Sequence, residues 1–227
     1  MAKVSLAESM QEYPQRPWDK TRKIGPFMTI SRQYGCHGFS LGLLLLESLN
    51  ETTGPAHLWN VYDKEVLSRL ATETELAEET IEHLQLLKPS LIVDFFRSLS
   101  SDKIPSGLEV RKRITTIIRG IAIQGYAIIV GQGGSAATSD LPNGLSIRLE
   151  APEEWRIKQV SYREGLSASQ AKRRIRAKEA QREYLRQLYE AKFPRKPAFH
   201  LTYDCSIFGL AQIAQHVVYA MKMLRYI

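Results

Sequence analysis

Five short apolar runs, each leading through a turn into a helical stretch, leave this chain few folds to choose from. They are Phe27 to Ser31, Leu58 to Tyr62, Tyr126 to Gly131, Leu145 to Ala151 and Leu201 to Ile207. Runs so short and so uniformly apolar suit strands buried on both faces. Helical patterns separate them. A Leu-rich one covers Leu41 to Asn50 and ends at Thr52-Thr53-Gly54-Pro55. An amphipathic one covers Leu108 to Gln124, another takes Pro152 into its first turn, and the last covers Leu210 to Leu224. Ser167 and Gln170 form a capping-box pattern at the head of a long basic helix. The alternation predicts an α/β fold, a three-layer parallel sheet with helices on both faces. Residues 1–25 read as an N-terminal extension and 26–227 as one α/β domain. Within it, 70–107 is a helical insert and 167–197 a basic segment.

Several classes of protein are excluded by what the chain lacks. Its first 25 residues carry charges and no apolar core of a secretory signal. No apolar run approaches the length of about 20 residues that a membrane span needs. Cys36 and Cys205 are far apart in sequence and give neither a disulfide framework nor zinc spacing. A cytoplasmic protein is the expectation, with no membrane partner. A homodimer is left open.

In a parallel sheet of this kind, ligands sit beyond the carboxyl ends of the strands. The turn after the first strand, Ser31-Arg32-Gln33-Tyr34-Gly35-Cys36-His37-Gly38-Phe39-Ser40, is the candidate phosphate binder. A phosphate needs convergent backbone N–H groups and the positive end of a helix dipole. Gly35 and Gly38 let the backbone turn and approach closely, and Ser31, Arg32 and Ser40 supply donors. The standard phosphate-loop motif G-x-x-x-x-G-K-[ST] is not matched, for no lysine stands between Phe27 and Asn50. A purely structural turn explains the same residues.

The sequence ITISRQYG, then spaced glycines and an apolar helix, then VYDKE, AIIVGQGG, a strand with APEEWRI and a basic helix, resembles the cytidylate kinase-like family. That family is a divergent branch of the P-loop nucleoside monophosphate kinases, and the resemblance covers residues 27 to 224. It implies ATP-dependent phosphoryl transfer with Mg2+ to a nucleoside monophosphate, with nucleotides as the ligands. Typical members also lack the lysine. Where they carry SRQYGSGG and a polar residue, this chain has Cys36, His37 and Phe39. His37 either adds charge beside a phosphate when protonated, or turns away or occludes the site. The resemblance places Asp63 and Arg69 on the acceptor side, where the arginine would clamp a phosphate. The alternative is that Asp63 caps the helix that follows it. The third turn, Gly131-Gln132-Gly133, has glutamine where the family has an arginine that contacts the acceptor. Ser40 is the hydroxyl nearest to a magnesium position.

Charge is concentrated in one region. The chain carries +7 overall, yet Trp155 to Lys196 holds thirteen Lys or Arg against four Glu. An anionic partner or a solvated helix face would account for this. By resemblance the segment is a lid whose D-x-x-R-like pair is Glu179 and Arg182. Lys178, Arg182 and Arg186 share a helix face at i, i+4, i+8, and such cations would neutralise a phosphoryl group in transfer. Two other readings stand beside the kinase: a nucleotide-sensing pseudokinase and, least favoured for want of interleaved aromatics, a nucleic-acid binder.

Overall fold

The computed structural model describes residues 24–67, 107–190 and 199–227. Residues 1–23 of the expected N-terminal extension, Arg69, and the helical insert up to residue 106 lie outside them. So do residues 191–198 of the basic segment.

The five strands are β1 (Phe27–Arg32), β2 (Asn60–Tyr62), β3 (Ala127–Val130), β4 (Gly144–Glu150) and β5 (Leu201–Asp204). They form one parallel sheet in the order β2-β3-β1-β4-β5. The helices are α1 (Gly38–Thr53), α2 (Gly107–Gln124), α3 (Gly134–Ala137), α4 (Glu153–Glu164), α5 (Ala168–Glu190) and α6 (Leu210–Met223).

Strand periodicity sorts the core into two layers. Met28 and Ile30 of β1, with Ile128 and Val130 of β3, face α1 and α6 and meet Leu41, Leu45, Leu49, Ile213 and Val217. Phe27, Ala127 and Ile129 face the other way and meet Ile117, Ile118 and Ile121 of α2. This is why the strands read as continuous apolar runs: each of their two side-chain rows is covered by a helix. A third cluster joins Val160 of α4 to Ala171 and Ile175 of α5, with Tyr34 of the first loop packed against it. The loop is thereby anchored to the α4–α5 unit.

The element boundaries differ from the sequence reading for identifiable reasons. Helix α1 runs on through Thr52 and Thr53, whose hydroxyls bond back to the carbonyls of Ser48 and Leu49. It stops only at Gly54, which adopts a positive φ. Pro152 lies one residue before α4, at its N-cap. The last strand ends at Asp204, whose carboxylate accepts the Ser206 N–H and hydroxyl and turns the chain. The capping box at Ser167 is present in both directions: Ser167 N–H donates to Gln170 Oε1 and Gln170 N–H to Ser167 Oγ.

Order 2-3-1-4-5 puts β1 at the point where successive strands turn from one side of the sheet to the other. The loops after β1, β3 and β4 therefore gather at one edge.

Candidate functional site

The first loop leaves β1 at Arg32 and enters α1 at Gly38. His37 is the N-cap residue, held in the left-handed region at φ 44°, and Gly35 has φ 98°. The N–H groups of Gly38, Phe39 and Ser40 form the first turn of a 16-residue helix, so they have no acceptor within it and carry its positive end.

The loop glycines serve purposes the sequence did not disclose. A Cβ at Gly35 would lie 3.1 Å from Cβ of Arg156 and 3.3 Å from its carbonyl oxygen, so Gly35 admits the backbone of α4. A Cβ at Gly38 would meet Cγ and Cδ of Arg32 at 3.1 Å, and one at Gly131 would overlap the Arg32 guanidinium itself. The missing side chains at 38 and 131 thus clear a channel for Arg32. Its guanidinium runs from the first loop across the third turn.

The Arg32 side chain makes no direct hydrogen bond or salt bridge among the described residues, and Asp63 and Glu179 act on it only at longer range. Burial, with Arg182 and Arg148 close by, pushes its pKa down to about 10, against the smaller opposing pull of Asp63 and Glu179. A half-buried cation beside two others is a position that an anion would relieve.

Two groups of the basic helix close over the loop. The Glu179 carboxylate accepts the Tyr34 N–H, and it lies 3.9 Å from the Arg156 guanidinium and 3.6 Å from that of Arg182. Arg182 donates to the Arg32 carbonyl at 3.1 Å and stacks over the Tyr34 ring at 5.2 Å. Burial holds the Arg182 pKa below its ordinary value, with Glu179 opposing. Lys178 is half-buried on the same helix, and the side chain of Arg186 lies outside those described.

The remaining expected residues have specific partners. The His37 ring turns toward α4, where Arg163 donates to Nδ1 at 2.8 Å and Nε2 faces Gln159 Oε1 at 3.3 Å. An arginine can only donate, so the bond assigns the ring proton to Nε2. Trp155 meets the ring edge at 6.5 Å. Cys36 is fully buried, while Phe39 is exposed. Ser31 Oγ accepts from Arg148 at 2.8 Å. Asp63 caps the helical turn Lys64 to Leu67 through the N–H groups of Glu65 and Val66, both at 3.0 Å. Gly131, Gln132 and Gly133 all adopt positive φ in the third turn. The turn is held from behind by the buried Arg119, which binds Asp140 with both terminal nitrogens, at 2.7 and 2.9 Å, and donates to the Ala137 carbonyl.

Sequence reasoning missed Arg148 and Arg156. The signal for Arg148 was a charge inside an otherwise apolar strand, LSIRLEA. Arg156 had none, because its burial depends on α4 lying against Gly35.

Among the described residues no group of three or more His, Cys, Asp or Glu side chains gathers to hold a metal. Magnesium at a phosphate site needs fewer, one or two protein oxygens completed by phosphates and water. Ser40, half-buried in the first turn of α1, fits that smaller donor set. No described helix is long and apolar enough to cross a membrane.

A parallel sheet in this order, with a helix-terminal loop after its central strand, defines a kinase-like nucleotide-binding α/β protein. A model of the cytidylate kinase-like family matches residues 27–207, and the chain belongs to that family. Among solved structures it resembles an uncharacterized protein from Eubacterium ventriosum, with a TM-score of 0.64 and 18% identity over 87% of this chain and 98% of that one. Shikimate kinase from Acinetobacter baumannii in complex with shikimate gives 0.49 and 14%, covering 88% and 94%. A gluconokinase from Sinorhizobium meliloti gives 0.46 and 12%, covering 89% and 95%. No curated protein matches the chain in sequence.

Proposed function

We propose that the protein is an ATP-dependent phosphotransferase acting on a nucleoside monophosphate or a similar phosphorylated acceptor. The observation that carries this reading is Arg32: a half-buried guanidinium with no hydrogen-bonded carboxylate among the described residues, beside the free N–H groups of a helix N-terminus. In this reading the N–H groups of Gly38 to Ser40 hold the donor phosphates, and Arg32 supplies the charge that a loop lysine supplies elsewhere. Arg182 lies over the loop to neutralise the transferred group, with Lys178 and Arg186 on the same helix face, and α5 excludes water. In this reading Asp63 and the Gly131-Gln132-Gly133 turn serve the acceptor, and Arg69 is assigned to it by family resemblance alone. Ser40 would hold magnesium, which would supply positive charge to the ATP phosphates. The test is ADP release from Mg-ATP across a panel of nucleoside monophosphates. Turnover on one of them is the expected result.

A second reading, a nucleotide-binding regulator without turnover, is favoured by the Glu179 carboxylate, which already sits on a loop N–H between two arginines. ATP bound at micromolar affinity with no turnover on any acceptor would select it. Both readings make Glu179 a competitor of incoming phosphate. Glu179→Gln removes a negative charge from between the arginines and is expected to tighten ATP binding about tenfold, an effect of about 1.4 kcal/mol. Calorimetric titration checks it, and weaker binding would show that the carboxylate organises the loop instead.

A further inference from the structure

The chain has two cysteines, and the fold brings them together at the candidate phosphate loop. Cys36 lies in the middle of that loop and Cys205 just beyond β5, and both belong to one buried cluster. The end of β4 joins them. Gln33 N–H donates to the Leu149 carbonyl at 2.9 Å, and Ala151 N–H donates to Gln33 Oε1 at 2.9 Å. Cys36 N–H bonds back to the Gln33 carbonyl at 3.2 Å, while Cys205 N–H donates to the Glu150 carbonyl at 2.8 Å. One strand end is thus flanked by the two cysteine-bearing segments. Their thiols act on one another: Cys205 and burial hold the Cys36 thiol above its ordinary range, and Cys36 draws Cys205 below it. Cys205 also keeps the greater exposure, 7% against 0%. A more acidic, more accessible thiol backed by a buried one is the arrangement of an attacking and a resolving cysteine.

We propose that Cys36 and Cys205 form an oxidisable dithiol, which a peroxide converts into a disulfide tying the candidate phosphate loop to the end of β5. The Cys205 thiolate attacks one peroxide oxygen and the O–O bond breaks. The other oxygen leaves as hydroxide and takes a proton to become water, and Cys205 is left as a sulfenic acid. The Cys36 sulfur then attacks the Cys205 sulfur. The S–O bond breaks, the S–S bond forms, and the departing hydroxide takes the Cys36 proton as a second water. Both sulfurs are oxidised and the peroxide is reduced. A disulfide draws two sulfurs to about 2.05 Å, closer than two free thiols can pack. Cys36 must therefore shift, and it stands one residue before the N-cap of α1. The N–H groups of Gly38 to Ser40 shift with it. The consequence for nucleotide binding rests on the function proposed above.

The experiment treats the full chain with hydrogen peroxide, then quenches with an alkylating agent under denaturing conditions. The expected product has lost both free thiols and two hydrogens of mass, migrates as a single chain without reductant, and reverts with dithiothreitol. Retained thiols, a product that gains oxygen at Cys205 while Cys36 stays free, or an intermolecular dimer would each overturn the proposal. Cys36→Ser should leave Cys205 as a sulfenic acid trapped by dimedone, and Cys205→Ser should leave Cys36 unreactive. The wild-type mass measurement stands if either variant fails to fold. ATP affinity should fall by at least about tenfold on oxidation and return on reduction; an unchanged affinity would refute the loop displacement. Failure of the reduced protein to bind ATP would instead defeat the proposed function, leaving the thiol chemistry to be judged by mass alone.

Discussion

Arg32→Met should make the free protein more stable and its ATP binding much weaker. Burial holds the Arg32 pKa near 10 and no carboxylate among the described residues bonds it directly, so the folded chain carries a charge it solvates poorly. A displacement of that size corresponds to at most about 3 kcal/mol of lost stability. The sign follows from the folded value lying below the unfolded one. The folded chain gives up the proton first, so stability rises as pH climbs through about 10. Methionine fills similar volume without the charge, and replacing a buried ion by an apolar side chain is often stabilising. We expect a gain of about 2 kcal/mol, read by thermal or denaturant unfolding without ligand. The same change removes the charge-assisted bonds that a phosphate would accept, and ATP affinity should fall roughly a hundredfold. Destabilisation together with unchanged ATP binding would mean that Arg32 is structural.

Gly131→Ala should be costly for a reason that Arg32→Met removes. Gly131 has φ 77°, where an alanine is strained by about 1–2 kcal/mol. Its Cβ would also overlap the Arg32 guanidinium. The two effects together should cost about 3 kcal/mol and displace Arg32 from the loop. In the Arg32→Met background only the backbone strain should be left, about 1 kcal/mol. The double-mutant cycle therefore predicts strong coupling between positions 32 and 131. Additive costs in that cycle would show that the two residues do not share the channel.

Much of this fold was legible in the chain because its rules are local. Strand and helix periods marked all five strands, and the pattern of Ser167 and Gln170 placed a helix start. The helix start after the first turn was legible for a similar reason: a strand, two glycines and an apolar helix force a helix N-terminus to open at the sheet edge. Asp63 shows the limit. Its cap could be anticipated, but nothing local told that its charge also reaches Arg32, because that depends on β2 and β1 ending at the same edge of the sheet, on either side of β3.

The sequence by itself determined the order of the elements, their buried faces and the place of the first loop, since periodicity, turn chemistry and helix polarity act over a few residues. Only the tertiary structure decided what the loop residues do. It showed that Gly35 admits α4, that Gly38 and Gly131 clear a path for Arg32, and that His37 is held by Arg163 and Gln159. It also brought Glu179 onto the Tyr34 N–H and Cys205 against Cys36. Each of these is an exclusion or a charge contact between segments distant in the chain, and such contacts exist only once the sheet order has set which strand ends are neighbours.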